Sequence, residues 1–386
     1  MTTPTAAYPE MATARIHHAS PSRRPAILRL AVQLIGPVLV CLGLGLTYLS
    51  AFHYPQPNNL QVAIVGTSPK TKVMAQTIKD KGGDHLDVIT VPTRQSAEAR
   101  LKERNLTGAF VPSKSHPELL IARAGSNAAA NAAETVFRMV TDKQGVPLKV
   151  TDLVPTTKED PNGSGPFFLL FALSVSSYIS VLVLGPAADV LGMRERALLG
   201  LGASLAISTV GILLAGPVFD VVDRSQAAIW GMCLPYSTGV VAIGLGLHTF
   251  LKQLTPLVLM GLFVMLNLTS AGGLMGPQLQ NGFYGALHSF WIGAGFVEGA
   301  RSILYFDYSG LGSHLLVLFL WLTAGIGLML LAARAEKRRE LIADTGLKTL
   351  QVPLEPVQVT LEPVAETDLK VFRSFAAEES AQGGWE

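Results

Sequence analysis

The sequence predicts an α-helical multi-pass membrane protein with six transmembrane helices, one plus five, and an extracytoplasmic α/β domain between the first and second helices. Its composition is one basis for this prediction: 15% of the 386 residues are charged and 49% are hydrophobic, whereas soluble domains have about 25% charged residues. The mean hydropathy is +0.38. The charge distribution is the other basis, because residues 53–165 hold 25 of the 58 charged residues.

Six stretches of the chain contain no Asp, Glu, Lys or Arg. They are 31–52, 166–188, 197–219, 227–251, 254–276 and 312–333. Twenty residues of α-helix, at about 1.5 Å per residue, cross a hydrocarbon core of about 30 Å. A charge at the centre of such a helix costs about 2.5–3.5 kcal/mol on insertion scales. Each stretch therefore predicts a transmembrane helix.

The two ends of the chain are predicted to be tails. Residues 1–26 are rich in Ala, Pro, Thr and Ser, which predicts a cytoplasmic flexible tail before a first transmembrane helix over 27–52. The apolar run of that helix exceeds the about 7–15 residues of a signal-peptide core, which favours an uncleaved anchor. Cleavage near Ser50 is the alternative. Residues 334–386 follow the last helix of the five-helix membrane domain, 166–333, and predict a cytoplasmic tail.

The charged segment 53–165 alternates between strand and helix patterns. The predicted strands are 61–65, 86–91, 107–111, 118–124 and 148–154. The predicted helices are 70–83, 94–105 and 127–142, the last with Ser126 as its N-cap. This alternation is typical of a small α/β domain.

Basic residues in the short segments predict the orientation. With six alternating helices, one side receives the arginines before the first helix, Arg194 and Arg196, Lys252, and the cluster at 334–339. The other side receives Arg224 and Arg301. Because cytoplasmic loops carry the excess of Lys and Arg, both termini are expected in the cytoplasm of a cell membrane protein and residues 53–165 outside.

The chain offers no motif for its own chemistry. A phosphate-binding G-x-x-x-x-G-K-[ST] loop is approached only at 66–71, which lacks the second glycine and has Pro69 in place of an amide donor. Cys41 and Cys233 have neither disulfide-framework nor metal-ligand spacing. We expect no enzyme activity, catalytic residue, cofactor or metal in this chain. A net charge of +2 gives no support to nucleic-acid binding.

The segment 277–310 is interrupted by Gly and polar residues and is rich in aromatic residues. Glu298 and Arg301 are three residues apart, so on a helix they would pair on one face and form a candidate outer-gate ion pair. Two structures are open: a broken helix that enters the outer leaflet where protein buries its backbone, or an interfacial loop with a solvated ion pair.

The short charged loop at Arg194, Glu195 and Arg196 is a candidate docking site for a cytoplasmic partner. Anchoring by the positive-inside rule is the alternative for each arginine. The interiors of the six predicted helices contain no Asp, Glu, Lys, Arg or His that could relay protons, because His248 and His314 lie near helix ends. The driving force for any transport would then come from a partner.

Three stretches resemble the ABC type-2 permeases, in particular the phage-infection-protein-like (YhgE/Pip-like) branch. These are QVAIVGTSP at 61–69, RLKERNLTGAFVPSKSHPELLIARAGSNAAANAAETVFRMV at 100–140, and FYGALHSFWIGAGFVEGARSILYFD at 283–307. The resemblance implies an exporter permease for an amphipathic, lipid-linked or drug-like substrate. It also implies a homodimer or a heterodimer with a second permease, contact with membrane lipid, and a cytoplasmic ATPase subunit that alone binds ATP.

Two other functions are open. An envelope receptor or scaffold would use the external domain to bind a ligand or partner, although five later helices exceed what an anchor requires. Half of a proton-driven exporter of the resistance-nodulation-division type would share the one-plus-five layout. The lack of intramembrane carboxylates argues against that second alternative.

Overall fold

A computed structural model describes residue 32 and residues 34–350, with side chains up to residue 343. The predicted tail 1–26, the start of the predicted first helix and the end of the predicted C-terminal tail lie outside the described residues. The chain divides into two compact units, Met1–Glu336 and Lys337–Glu386. The site described below belongs to the first unit.

The described residues are mostly helical, with one five-stranded sheet. The helices are α1 Ile35–Phe52, α2 Pro69–Gly82, α3 Arg94–Lys102, α4 Asn127–Asp142, α5 Gly165–Leu184, α6 Met193–Leu213, α7 Gln226–Leu251, α8 Thr255–Met260, α9 Asn267–Ser270, α10 Gly282–His288, α11 Ile292–Tyr305 and α12 Leu311–Leu350. The strands are β1 Leu60–Val65, β2 Leu86–Val91, β3 Gly108–Val111, β4 Glu118–Ile121 and β5 Lys149–Asp152.

Five helical segments among the described residues are long and apolar enough to cross a membrane. They are Ile35–Phe52, Gly165–Asp189, Met193–Val218, Gln226–Ser270 and Leu311–Ala343. The fourth contains one whole charge-free stretch, 227–251, and most of another, 254–276, so the number of spans stays a prediction. The last helix continues to Leu350, beyond residue 333 where the sequence predicted the tail to begin.

The 45-residue segment Gln226–Ser270 is folded into two helical arms, the first up to Leu251 and the second from Thr255 onward. Lys252 has φ of 47°, which breaks the helical path between α7 and α8. The Asn267 Nδ2 atom donates a hydrogen bond of 2.8 Å to the Tyr236 hydroxyl. In one straight helix these residues would lie about 46 Å apart along the axis. The two arms therefore run side by side, and a π-helical turn at Gly261–Leu266 lies within the second arm.

The sheet confirms the α/β domain that the sequence predicted. Its strand order is β2-β1-β3-β4-β5. Strand β1 is parallel to both β2 and β3, β4 is antiparallel to β3, and β5 is parallel to β4. Because parallel neighbours require crossover connections, α2 and α3 link the first three strands. A short loop over 112–117 joins β3 to β4 and allows the antiparallel pair.

Both faces of the sheet are covered by helices. Helices α2 and α4 bury Ile78 and Phe137 against one face, where Phe137 stacks on Phe110 of β3 at a centroid distance of 4.9 Å. Helix α3 buries Leu101 against the other face. Ser126 caps α4 by accepting a hydrogen bond from the Ala129 N–H, as predicted. This cap satisfies one of the free amides at the helix start.

A buried carboxylate ties three elements of the domain together. Glu118 begins β4 and accepts a hydrogen bond of 2.6 Å from the Thr151 hydroxyl of β5. It also pairs with Arg94 of α3 and lies 3.4 Å from the Lys149 ammonium. Burial by itself would raise the pKa of Glu118, but the bonds from Thr151 and Arg94 outweigh it and lower the pKa below its ordinary value.

This lowered pKa predicts an acid-sensitive sheet edge. Glu118 stabilises the domain above its unfolded-state pKa of about 4.3, and that stabilisation is lost as the pH falls through the lower folded-state pKa. In hydrogen exchange of β4 and β5 in the full chain, we expect Glu118→Gln to weaken protection at pH 7. The difference from wild type should disappear in acid. Glu98→Gln, which removes a half-buried partner of Arg94, is the control. A difference that persists unchanged at low pH would contradict the assignment.

Candidate functional site

The segment 277–310 forms two helices that fold back on each other. Helix α10 ends at His288 and α11 begins at Ile292. The His288 Nε2 atom lies 3.9 Å from Glu298 Oε1, so the second helix returns past the end of the first. Every residue of α11 is buried. Of the two structures that the sequence left open, an exposed interfacial loop is wrong for this helix.

The start of α11 is fixed by an amide side chain from the second arm. Asn267 Oδ1 accepts a hydrogen bond of 2.8 Å from the Gly293 N–H. Its Nδ2 atom donates to the Tyr236 hydroxyl at 2.8 Å and to Ser174 Oγ at 3.3 Å. Tyr236 and Ser174 are themselves 2.6 Å apart. This buried network joins α5, α7, α9 and α11, and its donors and acceptors satisfy one another.

Two indole side chains hold the turn between α10 and α11. Trp321 Nε1 donates a hydrogen bond of 2.8 Å to the Phe290 carbonyl, and Trp291 Nε1 donates one of 3.3 Å to the Leu262 carbonyl. The two indole rings are 5.3 Å apart. Trp321 lies ten residues into α12, about 15 Å along its axis. The turn between α10 and α11 therefore lies beside α12 at about 15 Å from the start of that helix, which is half of the about 30 Å that a bilayer core spans.

Glu298 and Arg301 are bonded to each other inside the protein. Arg301 Nη1 donates a hydrogen bond of 2.8 Å to Glu298 Oε1. The same guanidinium donates to the carbonyl oxygens of Gly272 and Gly273, both at 3.0 Å. Gly272 has φ of 74°, a conformation that favours glycine. The side chains of Glu298 and Arg301 are 7% and 3% exposed, so the pair is shielded from solvent.

A second arginine reaches Glu298 from the α/β domain. Arg104, between α3 and β3, forms an ion pair with the Glu298 carboxylate and donates a hydrogen bond of 3.2 Å to its main-chain carbonyl. Its guanidinium also lies 5.2 Å from the centre of the Phe306 ring, a cation–π distance. Burial and the nearby Arg301 lower the pKa of Arg104 to about 9, so the group keeps its charge at neutral pH.

A cavity of about 340 Å³ adjoins this charge cluster. Arg104, Glu298 and His288 line one part of it, and the start of α4 at Ser126 and His314 of α12 line others. The cavity thus lies between the α/β domain and the apolar helices. Its charged and hydrogen-bonding lining suits a polar group, or water that fills the joint between these two parts.

The candidate docking residues have different environments. Arg194 is exposed, and Glu195 accepts a hydrogen bond of 2.9 Å from the Gly192 N–H at the start of α6. Arg196 is 0% exposed and bonds Glu336 of α12 at 2.6 Å, which corrects the expectation that it is available to a partner. Thr249 of α7 donates a hydrogen bond to the same Glu336 at 2.7 Å. Arg196 therefore joins helices within this chain.

Sequence reasoning missed most members of these clusters. The sequence predicts a helix over 94–105 that would include Arg104. In the structure α3 ends at Lys102, and Arg104 adopts φ of 65°. Asn267 lies inside a stretch recognised only by its lack of charge. Its amide group, within an otherwise apolar span, was the one local signal that could have drawn attention to it.

Comparisons with known proteins give no relative for this chain: no protein-family model, curated protein or solved structure matches it. Its function must be inferred from its own residues. Within residues 34–343, no three His, Cys, Asp or Glu side chains are grouped so that they could hold a metal ion. The arrangement at Glu298 is one of paired charges that links the α/β domain to α11.

Removing Glu298 should destabilise the protein strongly. Glu298→Ala leaves the buried guanidinium of Arg301 and the partly buried guanidinium of Arg104 without their shared carboxylate, and a broken buried pair costs about 3–5 kcal/mol. We expect a lower unfolding temperature of the solubilised full chain. Adding Arg104→Ala should recover part of the loss, because one unpaired charge is removed. Glu103→Gln, at an exposed neighbour, is the control. Additive losses in the double variant would contradict the pairing.

Removing the Asn267 amide should loosen the start of α11. Asn267→Ala leaves the Gly293 N–H without its acceptor and the Tyr236 hydroxyl without its donor, at a cost of about 1–3 kcal/mol. We expect faster hydrogen exchange at the first turn of α11. Thr269→Ala is a matched control, since the buried Thr269 hydroxyl bonds only carbonyls of its own arm. Equal effects of the two substitutions would count against the network.

Proposed function

We propose that this chain is the membrane permease subunit of an ABC-type exporter, which moves an amphipathic, lipid-linked or drug-like substrate outward with energy from a separate ATPase. The observation that carries the proposal is the joint at Glu298, by which we mean the ion cluster of Arg104, Glu298 and Arg301. It bonds an α/β domain that is rich in charge to helices that are long and apolar enough to cross a membrane. A domain bonded in this way can follow movements of the helices.

The proposed arrangement has six spans. The side-by-side arms of Gln226–Ser270 support counting that segment as two, because residues 236 and 267 are bonded across the arms. Helices α10 and α11 then form a re-entrant pair that enters from the outer side. Irregular backbone at membrane depth is tolerated where protein buries it, and every residue of α11 is buried.

The proposed orientation places the α/β domain outside the cell membrane and both termini in the cytoplasm. Arg194 and Lys252 then lie on the cytoplasmic side, together with the basic start of the predicted C-terminal tail. The burial of Arg196 against Glu336 does not weaken this assignment, because the positive-inside rule concerns which side a loop occupies and not whether its arginines are free.

The energy source is proposed to be a partner, because the sequence contains no phosphate-binding loop. Arg194 and Glu195, both exposed at the start of α6, remain the candidate docking residues for a cytoplasmic ATPase. A homodimer or heterodimer of permeases would complete the transporter. ATP would bind only to the partner subunit, with membrane lipid around the helices and no role for nucleic acid.

The proton-driven alternative gains a buried carboxylate from the structure but not a proton carrier. Glu298 contacts two guanidinium groups, so its carboxylate is held in ion pairs within this chain. The receptor or scaffold alternative makes no use of a joint that couples the domain to apolar helices. Export therefore accounts for more of the bonded arrangement than either alternative.

Reversing the charge of the exposed docking residue tests the proposal. We expect Arg194→Glu to reduce co-purification of an ATPase with the tagged full chain by about tenfold, as loss of one well-placed charge contact can do. Nucleotide-stimulated activity of the complex should fall with it. Arg224→Glu, also exposed but on the proposed outer side, is the matched control. A wild-type chain that transports solute uphill without any ATPase would refute the proposal.

A further inference from the structure

The α/β domain carries a large groove away from the charge cluster. It lies between α2 and α4 on one face of the sheet and has a volume of about 720 Å³, within the range of about 300–1,000 Å³ typical of small-molecule sites. The start of β2 and the linker that follows α1 complete it. None of the bonds described above uses this groove.

The inside of the groove is apolar. Met74 and Ile78 of α2, Val136 and Val140 of α4, and Leu86 of β2 line it. On its flanks, Val73 is 65% exposed and Met139 is 55% exposed. Single exposed apolar side chains are common, but these two face one groove from opposite helices. An apolar ligand would remove them both from water.

The rim of the groove is positively charged. Lys70, Lys81 and Lys143 line it, and none of its lining residues is Asp or Glu. Asp80, next to Lys81, accepts a hydrogen bond of 2.7 Å from Gln76, and neither Asp80 nor Gln76 lines the groove. An apolar groove with three lysines complements a molecule that has an apolar body and an anionic group.

The groove also begins next to a candidate membrane span. Gln56 and Pro57 line it, and α1 ends at Phe52. Five residues of extended chain reach at most about 18 Å, so this end of the groove is close to the point where the chain leaves the apolar helix. A ligand that leaves the membrane surface would meet this end first.

We propose that the groove binds a single-chain amphiphile with an anionic head group. The acyl chain would lie on Met74, Ile78 and Val136, and the head group would contact the three lysines. This inference rests on the proposed export function, because it names the substrate class and the place that receives it outside the membrane. Binding itself needs no ATPase, so it can be measured independently of transport.

Photo-crosslinking of the full chain tests the groove. The protein is reconstituted in phosphatidylcholine nanodiscs with a palmitoyl lysophosphatidylglycerol that carries a diazirine on its acyl chain, and labelled peptides are mapped by mass spectrometry. We expect labelling of α2 and α4, and about tenfold less with a lysophosphatidylcholine of the same chain. Labelling confined to the membrane helices, or equal labelling by both head groups, would overturn the proposal.

Substitutions separate the two parts of the site. The double substitution Val73→Glu and Met139→Glu places charge in the apolar groove at exposed positions, and we expect it to abolish the labelling. Changing Lys70, Lys81 and Lys143 together to Gln should reduce labelling about tenfold and remove the preference for the anionic head group. The control changes Lys72, Lys114 and Lys158 to Gln, three exposed lysines that do not line the groove. Equal losses in the two triple variants would contradict a specific rim.

The two proposals fail in different ways. Groove labelling without any co-purifying ATPase would refute export and leave the groove as a ligand site of a receptor. An ATPase-coupled chain without groove labelling would refute the groove alone. Crosslinks from Met139 to a second copy of the chain would show that this copy covers the groove. That result would also overturn the groove proposal.

Discussion

The carboxylate of Glu298 is the contact on which the rest of the arrangement depends. Two guanidinium groups reach it, Arg301 from one turn along α11 and Arg104 from the α/β domain. Three charges can be buried together only when each finds a partner. The turn at Gly272 and Gly273 therefore has to offer its carbonyl groups to Arg301, and the chain after α3 has to bend at Arg104. The sheet and the apolar helices consequently form one bonded unit.

A second constraint acts at the other end of α11. Its first amides lie among apolar helices, where unpaired donors are costly, and Asn267 supplies the acceptor. The helix is thus held by an amide network at its start and by an ion cluster near its end. Because α11 contacts helices at one end and the α/β domain at the other, movement of either would be transmitted through it.

Local patterns predicted the parts of the fold that local physics determines. The strands at β1 and β2, the helix α4 and its cap at Ser126 follow from alternation and capping within about ten residues. Arg196 could not be placed in this way, since its partner Glu336 is 140 residues away. For the same reason the spacing of Glu298 and Arg301 predicted a pair on one helix face but not the third member, Arg104, which comes from another domain.

The proposed topology puts the α/β domain outside the cell and the start of α6 in the cytoplasm. Labelling of single cysteines from one side of intact cells tests it most directly, in a chain whose Cys41 and Cys233 are replaced by Ala. We expect a membrane-impermeant maleimide to label Lys114→Cys in intact cells, and to label Arg194→Cys only after permeabilisation. Labelling of Arg194→Cys alone in intact cells would contradict it.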